Sequence, residues 1–219
     1  MKRLTIATLA LCLATTQADA QVQNGSFETP GCPGDFFCTN GPITGWQNYG
    51  SIDVVNSFWP AGDGVISLDL NGVTQGGVGQ TLTGLTVGAT YDLSFLLSKN
   101  PGTASATLDV LWLNAATVND FTFFTSPLGS TFTFNTPNSR TDMLWSERTT
   151  QLTATNSTMF LGFRSNEIIS SAGPALDRVA LVQAGDGALP GTTVPEPGTY
   201  ALMASGLTAL GVLRRRRTR

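Results

Sequence analysis

An all-β fold, an antiparallel β-sandwich of the jelly-roll kind, is what this 219-residue chain predicts, and three observations carry the prediction. Short runs of Thr, Val, Phe and Leu alternate between apolar and polar positions. The chain's 24 Gly and 11 Pro, with Asn, punctuate those runs. No window between the two ends carries a long helical stripe. Candidate strands in chain order are 43–49, 51–55, 65–70, 78–82, 90–98, 104–113, 119–124, 131–134, 143–153, 158–164 and 175–182. Tyr91, Leu93 and Phe95 share one face of their segment, and Leu108, Val110 and Trp112 share one face of theirs, because alternate residues of a strand point the same way. Roughly ten short strands in about 170 residues suit a two-sheet sandwich. There is no internal repeat.

The ends of the chain read as addresses. Met1-Lys2-Arg3, an apolar run over 4–14 and the small-x-small pattern Ala18-Asp19-Ala20 predict a secretory signal peptide over 1–20, cleaved after Ala20. At the other end Pro195-Glu196-Pro197 precedes an uncharged stretch, 198–213, and four arginines, Arg214, Arg215, Arg216 and Arg217. As a helix that stretch spans roughly 24 Å at ~1.5 Å per residue. A bilayer core is about 30 Å, so snorkelling arginines and local thinning must close the gap. The arginines stay cytoplasmic by the positive-inside rule, which leaves everything before Pro195 outside. Gly206, Gly211 and several small residues make a weak permanent anchor and suit a transmembrane tail that is held and then cut. The predicted organisation is therefore a signal peptide over 1–20, a β-domain over 21–182, a Gly/Pro-rich flexible linker over 183–194 and a sorting tail over 195–219.

Val194-Pro195-Glu196-Pro197, the short apolar helix and the terminal arginine cluster, in that order, resemble the PEP-CTERM sorting signal. The resemblance implies an exosortase-type membrane protease as processing partner, cutting near Pro195-Glu196-Pro197. It implies passage through the inner membrane to the surface of a Gram-negative bacterium that makes exopolysaccharide.

Composition narrows the function of the domain. Between the two ends stand five basic residues, Lys99, Arg140, Arg148, Arg164 and Arg178, against thirteen acidic ones (the chain's 15 less Asp19 and Glu196), a balance of −8. Such a surface repels phosphate and argues against nucleic acid. The chain has no histidine, which removes Ser-His-Asp and Cys-His catalysis and histidine-bound zinc. Of three cysteines Cys12 leaves with the signal peptide; Cys32 and Cys38 remain, close enough for one local disulfide in an oxidising exterior. That loop contributes roughly 2 kcal/mol by its closure entropy.

Several phrases of the domain occur in a telling order: Asn24-Gly25-Ser26-Phe27-Glu28, Ile43-Thr44-Gly45-Trp46, Gly64-Val65-Ile66-Ser67-Leu68-Asp69-Leu70-Asn71-Gly72, Gly79-Gln80-Thr81-Leu82, Leu97-Ser98-Lys99-Asn100-Pro101 and Gly173-Pro174-Ala175-Leu176-Asp177-Arg178-Val179. This order resembles the bacterial choice-of-anchor C domain. It is similar also to plant cell-wall proteins that carry a domain of unknown function with a galactose-binding-like fold. The resemblance covers 24–181 and implies a jelly roll that resides in a polysaccharide-rich wall or matrix, with no catalytic activity. The plant proteins usually carry more cysteines, so their disulfide framework does not transfer.

In jelly-roll carbohydrate-binding modules a similar opening and a late Asp lie side by side and hold a structural calcium. By that resemblance Asn24, Glu28 and Asp177 are candidate calcium ligands, oxygen donors of the type a hard cation takes. Salt bridges of Glu28 or Asp177 to Arg178 or Arg164, with a turn at Asn24-Gly25, are the alternative. Trp46, Tyr49, Phe58 and Trp59 fall in a turn-rich stretch, and a sugar ring stacks on such a platform while Asn, Asp and Gln take its hydroxyls. Trp46, Tyr49 and Trp59 are the candidate carbohydrate-binding residues. Trp46, inside an apolar strand, reads more readily as core, Trp59 reads equally as core or surface, and Trp112 and Trp145 are assigned to the core. Asp53, Asp63, Asp69, Asp92 and Glu147 are available for carboxylate chemistry, but nothing pairs them in sequence. The leading expectation is a non-enzymatic exported module that binds or sits in exopolysaccharide. A self-assembling structural protein and a carboxylate-dependent glycosidase are the alternatives.

Overall fold

The strands are where alternation placed them, with two exceptions, one explained by local hydrogen bonding and the other by the disulfide. A computed structural model describes residues 22–34, 36–127, 129–168 and 170–185. The expected signal peptide with Ala20, most of the linker, and the tail with Pro195, Glu196, Pro197 and Arg214 to Arg217 lie outside the described residues. Within them run β1 (Phe37–Thr39), β2 (Gln47–Gly50), β3 (Asp53–Val55), β4 (Ser67–Asp69), β5 (Gly76–Thr83), β6 (Thr90–Lys99), β7 (Ala106–Asn114), the short helix α1 (Asp120–Thr125), β8 (Ser130–Phe134), β9 (Ser146–Thr153), β10 (Thr158–Ser165) and β11 (Pro174–Gln183). They form two antiparallel sheets, ordered β1-β3-β4-β11-β6-β9 and β2-β5-β10-β7-β8. The fold is the all-β sandwich that the sequence predicts.

The first exception is 119–124, expected as a strand and found as α1. Asn119 accepts the Thr122 N–H on its side-chain oxygen at 3.0 Å while Thr122 Oγ1 accepts the Asn119 N–H at 2.8 Å. This reciprocal cap satisfies helix-end donors that the Phe-rich strand propensity cannot. The second is β1, which sequence reading missed. The Cys32–Cys38 disulfide, with Cα atoms 5.8 Å apart, folds this three-residue strand back along β3.

One residue in two from each sheet points inward. Val54, Leu68, Leu176 and Leu97 stand in register across β3, β4, β11 and β6 and are buried. Val78, Leu161, Phe163 and Val110 meet them from the second sheet. Phe95 sits 5.3 Å from Phe163 across the interlayer, tilted edge to face. Each such side chain contributes about 1.5–3 kcal/mol by leaving water. Trp112 is only partly buried against this core, and Trp145 packs partly buried against a smaller cluster outside it.

The other residue in two points to an outer face, and the two outer faces differ. On the five-stranded sheet Gly77, Gly79 and Gly162 leave a bare patch, and a Cβ at any of them would collide with the Phe123 or Phe160 ring. Helix α1 lays Phe123 on that patch beside Tyr49, Leu111 and Phe160. On the six-stranded sheet Trp59, from the segment after β3, and Met143, from the segment before β9, pack on Val55 and Ala175, and a cleft is left beside them.

Candidate functional site

The cleft on that outer face has a volume of about 320 Å³. Register builds its floor. Thr39 pairs with Asp53 and Asp53 with Asp69, so three polar side chains stand in one row across β1, β3 and β4. Thr39 Oγ1 donates to Asp53 Oδ1 at 2.5 Å. Asp69 is buried, and three donors hold it. The N–H groups of Asn71 and Gly173 reach Oδ1 at 3.0 and 3.1 Å, and Asn100 Nδ2 reaches Oδ2 at 2.8 Å. Burial pushes the Asp69 carboxyl up to about 7, against the pull of those donors and with a small further push from Asp53. Burial also raises Asp53, opposed by the Thr39 hydrogen bond. Among the described residues the ion pairs are Arg164–Asp109 and Arg178–Glu147, so neither carboxylate of the floor has a cationic partner.

Aromatic rings form one wall. Phe37 is 41 % exposed and meets Phe58 edge to face at 5.6 Å. Phe58 lies 5.6 Å from Trp59, whose Nε1 donates to Ser67 Oγ at 2.9 Å. Trp59 is 3 % exposed, packed with Val55, Met143 and Ala175. Gly72, exposed Val73 and Ser171 complete the lining. A polar floor with an accessible ring beside it takes a hydroxyl-rich ring compound, stacking on one side and hydrogen bonding below.

The expected platform of Trp46, Tyr49 and Trp59 is corrected. Trp46 is inside, 5.3 Å from Phe27 and 6.1 Å from Phe163, with its Nε1 donating to the Asn24 carbonyl at 3.0 Å. Tyr49 lies under α1, stacked on Phe123 at 3.9 Å on the opposite sheet. Trp59 shows the cleft little of its surface. Burying a large ring yields more than exposing it, and each ring's polar atom or face finds a protein partner indoors.

Asn24, Glu28 and Asp177 serve loops instead of a cation. Asn24 Nδ2 donates to the carbonyls of Thr29 and Thr44, and its Oδ1 accepts the Thr29 N–H. Glu28 Oε1 accepts the N–H groups of Val65 and Ile66 at 2.9 and 2.8 Å. Asp177 Oδ2 accepts those of Gly62 and Asp63, both at 2.8 Å, and Oδ1 that of Arg178. The two carboxylates thus clamp the Gly62–Asp63–Gly64 turn from either side. Their oxygens face N–H donors, and among the described residues no group of three or more acidic, Cys or His side chains converges to hold a metal. This set does not fit calcium, which asks for six or more converging oxygens. Nor do Glu28 and Asp177 form the alternative salt bridges; Arg178 pairs with Glu147 at 2.7 Å and Arg164 with Asp109 at 3.2 Å. Burial pushes the Asp177 carboxyl up to about 7 as well, its three N–H donors opposing.

Comparison with known proteins adds the lineage. Residues 20–182 match the family described as Protein of unknown function (DUF642). The chain belongs to that family. Residues 193–217 match the PEP-CTERM protein-sorting motif, which indicates export and sorting to the surface of a Gram-negative cell. Halomucin of Haloquadratum walsbyi is 30% identical over 206 residues, a stretch that covers 86% of this chain and 2% of that protein, so the chain spans a small fraction of that relative's length. Solved structures similar to the chain include the K3 cleaved adhesin domain of Lys-gingipain from Porphyromonas gingivalis (TM-score 0.49, 18% identity, 74% of this chain and 97% of that one). They also include the C-terminal family 22 carbohydrate binding module of Clostridium thermocellum Xyn10B (0.48, 18%, 66% and 90%). Likenesses at this level do not say what a DUF642 domain binds.

Sequence reading missed three cleft residues: Phe37, Thr39 and Asn100. A signal for the first two was present. Cys38, tied inward to Cys32, must send its two neighbours to the opposite face.

Proposed function

We propose that the protein is a non-catalytic glycan-binding module of the cell exterior, processed by an exosortase-type protease at Pro195-Glu196-Pro197 and seated in exopolysaccharide. The observation that carries the binding half is the open cleft, with Thr39, Asp53, Asp69 and Asn100 below and Phe37 beside. The sorting motif over 193–217 supports the exported half, since it indicates export and sorting to the cell surface.

The second reading, a glycosidase, is favoured by one observation, the side-by-side placement of Asp53 and Asp69. A catalytic acid must reach the substrate, and Asp69 is 1% exposed with both oxygens committed to donors, so it acts as floor.

The test is retention of the purified protein on a panel of insoluble and immobilised polysaccharides. Retention that is lost in Phe37→Ala and Asp53→Ala is the expected result. No retention on any of the panel sinks the binding reading. Intact mass of the protein from the host surface tests the other half. A C-terminus near Pro195–Pro197 is expected, and a mass that keeps Arg214–Arg217 contradicts processing.

A further inference from the structure

A second hollow, about 380 Å³, adjoins the cleft across Trp59, which lines both. Its wall is Asn56, Ser57, Val65 and Arg140. The Arg140 guanidinium carbon sits 3.8 Å from the centroid of the Phe58 ring, the same ring that walls the cleft. That stack fixes the guanidinium plane without using its N–H donors. Among the described residues Arg140 has neither a carboxylate within salt-bridge distance nor a hydrogen-bond acceptor, while Arg164 and Arg178 hold carboxylates and Lys99 holds the Thr103 carbonyl and Asn138. Arg148, on β9, borders neither hollow. In a body with eight more negative than positive charges, an oriented cation with free donors beside the cleft is a local exception.

From this geometry we infer that the ligand is an acidic polysaccharide in which neutral sugars alternate with uronic acids, the neutral ring lying in the Asp53–Asp69 cleft and the neighbouring uronate carboxylate on Arg140. The two hollows divide the work by charge. Asp53, whose Oδ2 is left free beside the Thr39 bond to Oδ1, accepts from hydroxyls and repels a carboxylate, while Arg140, with Asn56 and Ser57 beside it, offers the forked donors a carboxylate takes bidentately. A polymer acidic at every ring would set a carboxylate against the cleft floor, so alternation is part of the inference. It rests on the glycan-binding reading above.

The test uses the full protein with a hexasaccharide of alternating glucuronate and N-acetylglucosamine, and the same hexasaccharide with its carboxyls reduced to alcohols, titrated calorimetrically. The acidic form should bind about tenfold more tightly than the reduced one, the effect of one charge-assisted contact. Arg140→Gln should erase that ratio, and Arg140→Lys, which keeps charge but loses the planar stack, should keep part of it, with thermal midpoints unchanged in both. Equal affinity for the two forms, or a ratio that survives Arg140→Gln, overturns the inference. If a neutral glycan of the panel is retained while the acidic form gains nothing, only this inference falls. If neither form binds and the panel retains nothing, the glycan-binding reading falls with it.

Discussion

The two outer faces of the sandwich are built from the same alternation and end in opposite states. On the five-stranded sheet the bare patch of Gly77, Gly79 and Gly162 receives Phe123 and Phe160. The charged pair beside it is closed: Arg164 donates to Asp109 at 3.2 Å and to the Phe123 carbonyl at 2.8 Å, and Thr131 donates to the other Asp109 oxygen. On the six-stranded sheet Asp53 and Asp69 stand in a cleft with no cation opposite, and Phe37 is left half in water. On the first face the buried charges, Arg164 and Asp109, answer each other from within the chain. The second leaves two carboxylates without an internal counter-charge and a ring partly in water, the pattern on which the proposed binding face rests.

The contrast can be broken most forcefully at the closed face. Asp109→Ala leaves Arg164 buried and unpaired, which should destabilise the domain by about 3–5 kcal/mol in urea unfolding. A loss below ~1 kcal/mol would mean that water already reaches that pair. Next come the two buried carboxyls on the outer side of the six-stranded sheet. Asp69 and Asp177 titrate near 7 in the fold, against about 3.9 when unfolded. Between about pH 4 and 7 the folded chain therefore holds protons that the unfolded chain has released, so stability falls as pH rises through that window and levels off above it. The drop is on the order of 4 kcal/mol per group at most, and Asp69→Asn should flatten part of it. Stability that rises from pH 4 to 7 would contradict the burial argument.

Most of the sandwich was legible because alternation is a local signal. Tyr91, Leu93 and Phe95 share a face by spacing alone, and they are buried together. The disulfide was legible because two cysteines remained and lay close. The cleft was not, because its floor is a matter of register. Asp53 and Asp69 were visible as carboxylates, yet only the β3–β4 pairing sets them side by side. Rings were misplaced for a related reason. A turn-rich stretch around Trp46 and Trp59 does not reveal that the chain folds back over its own sheet, and the hydrogen bonds of their Nε1 atoms to Asn24 and Ser67 are made by residues far along the chain or by tertiary packing. Glu28 and Asp177 were read as calcium ligands, but their partners are backbone N–H groups, which leave no mark in sequence.

Smaller effects sharpen the comparison further. Gly79→Val places branches where the Phe160 ring lies and should cost about 1–3 kcal/mol by overpacking, measured by thermal melting. Phe37→Ala, on the open face, should change stability by less than about 0.5 kcal/mol while lowering glycan affinity about tenfold, a stacking contact of roughly 1.4 kcal/mol. The smallest expected effect is that of a calcium chelator, which should leave the melting midpoint where it was. A drop of several degrees would show that Glu28 and Asp177 do serve a cation.

The most direct test of the central claim is amide NMR mapping during titration with oligosaccharides cut from the host's own exopolysaccharide. The largest shifts should fall on Thr39, Asp53, Val55 and Asn100, around the cleft. Shifts centred on α1, at Phe121 and Thr122, or none anywhere, would contradict the assignment of the open face as the binding face.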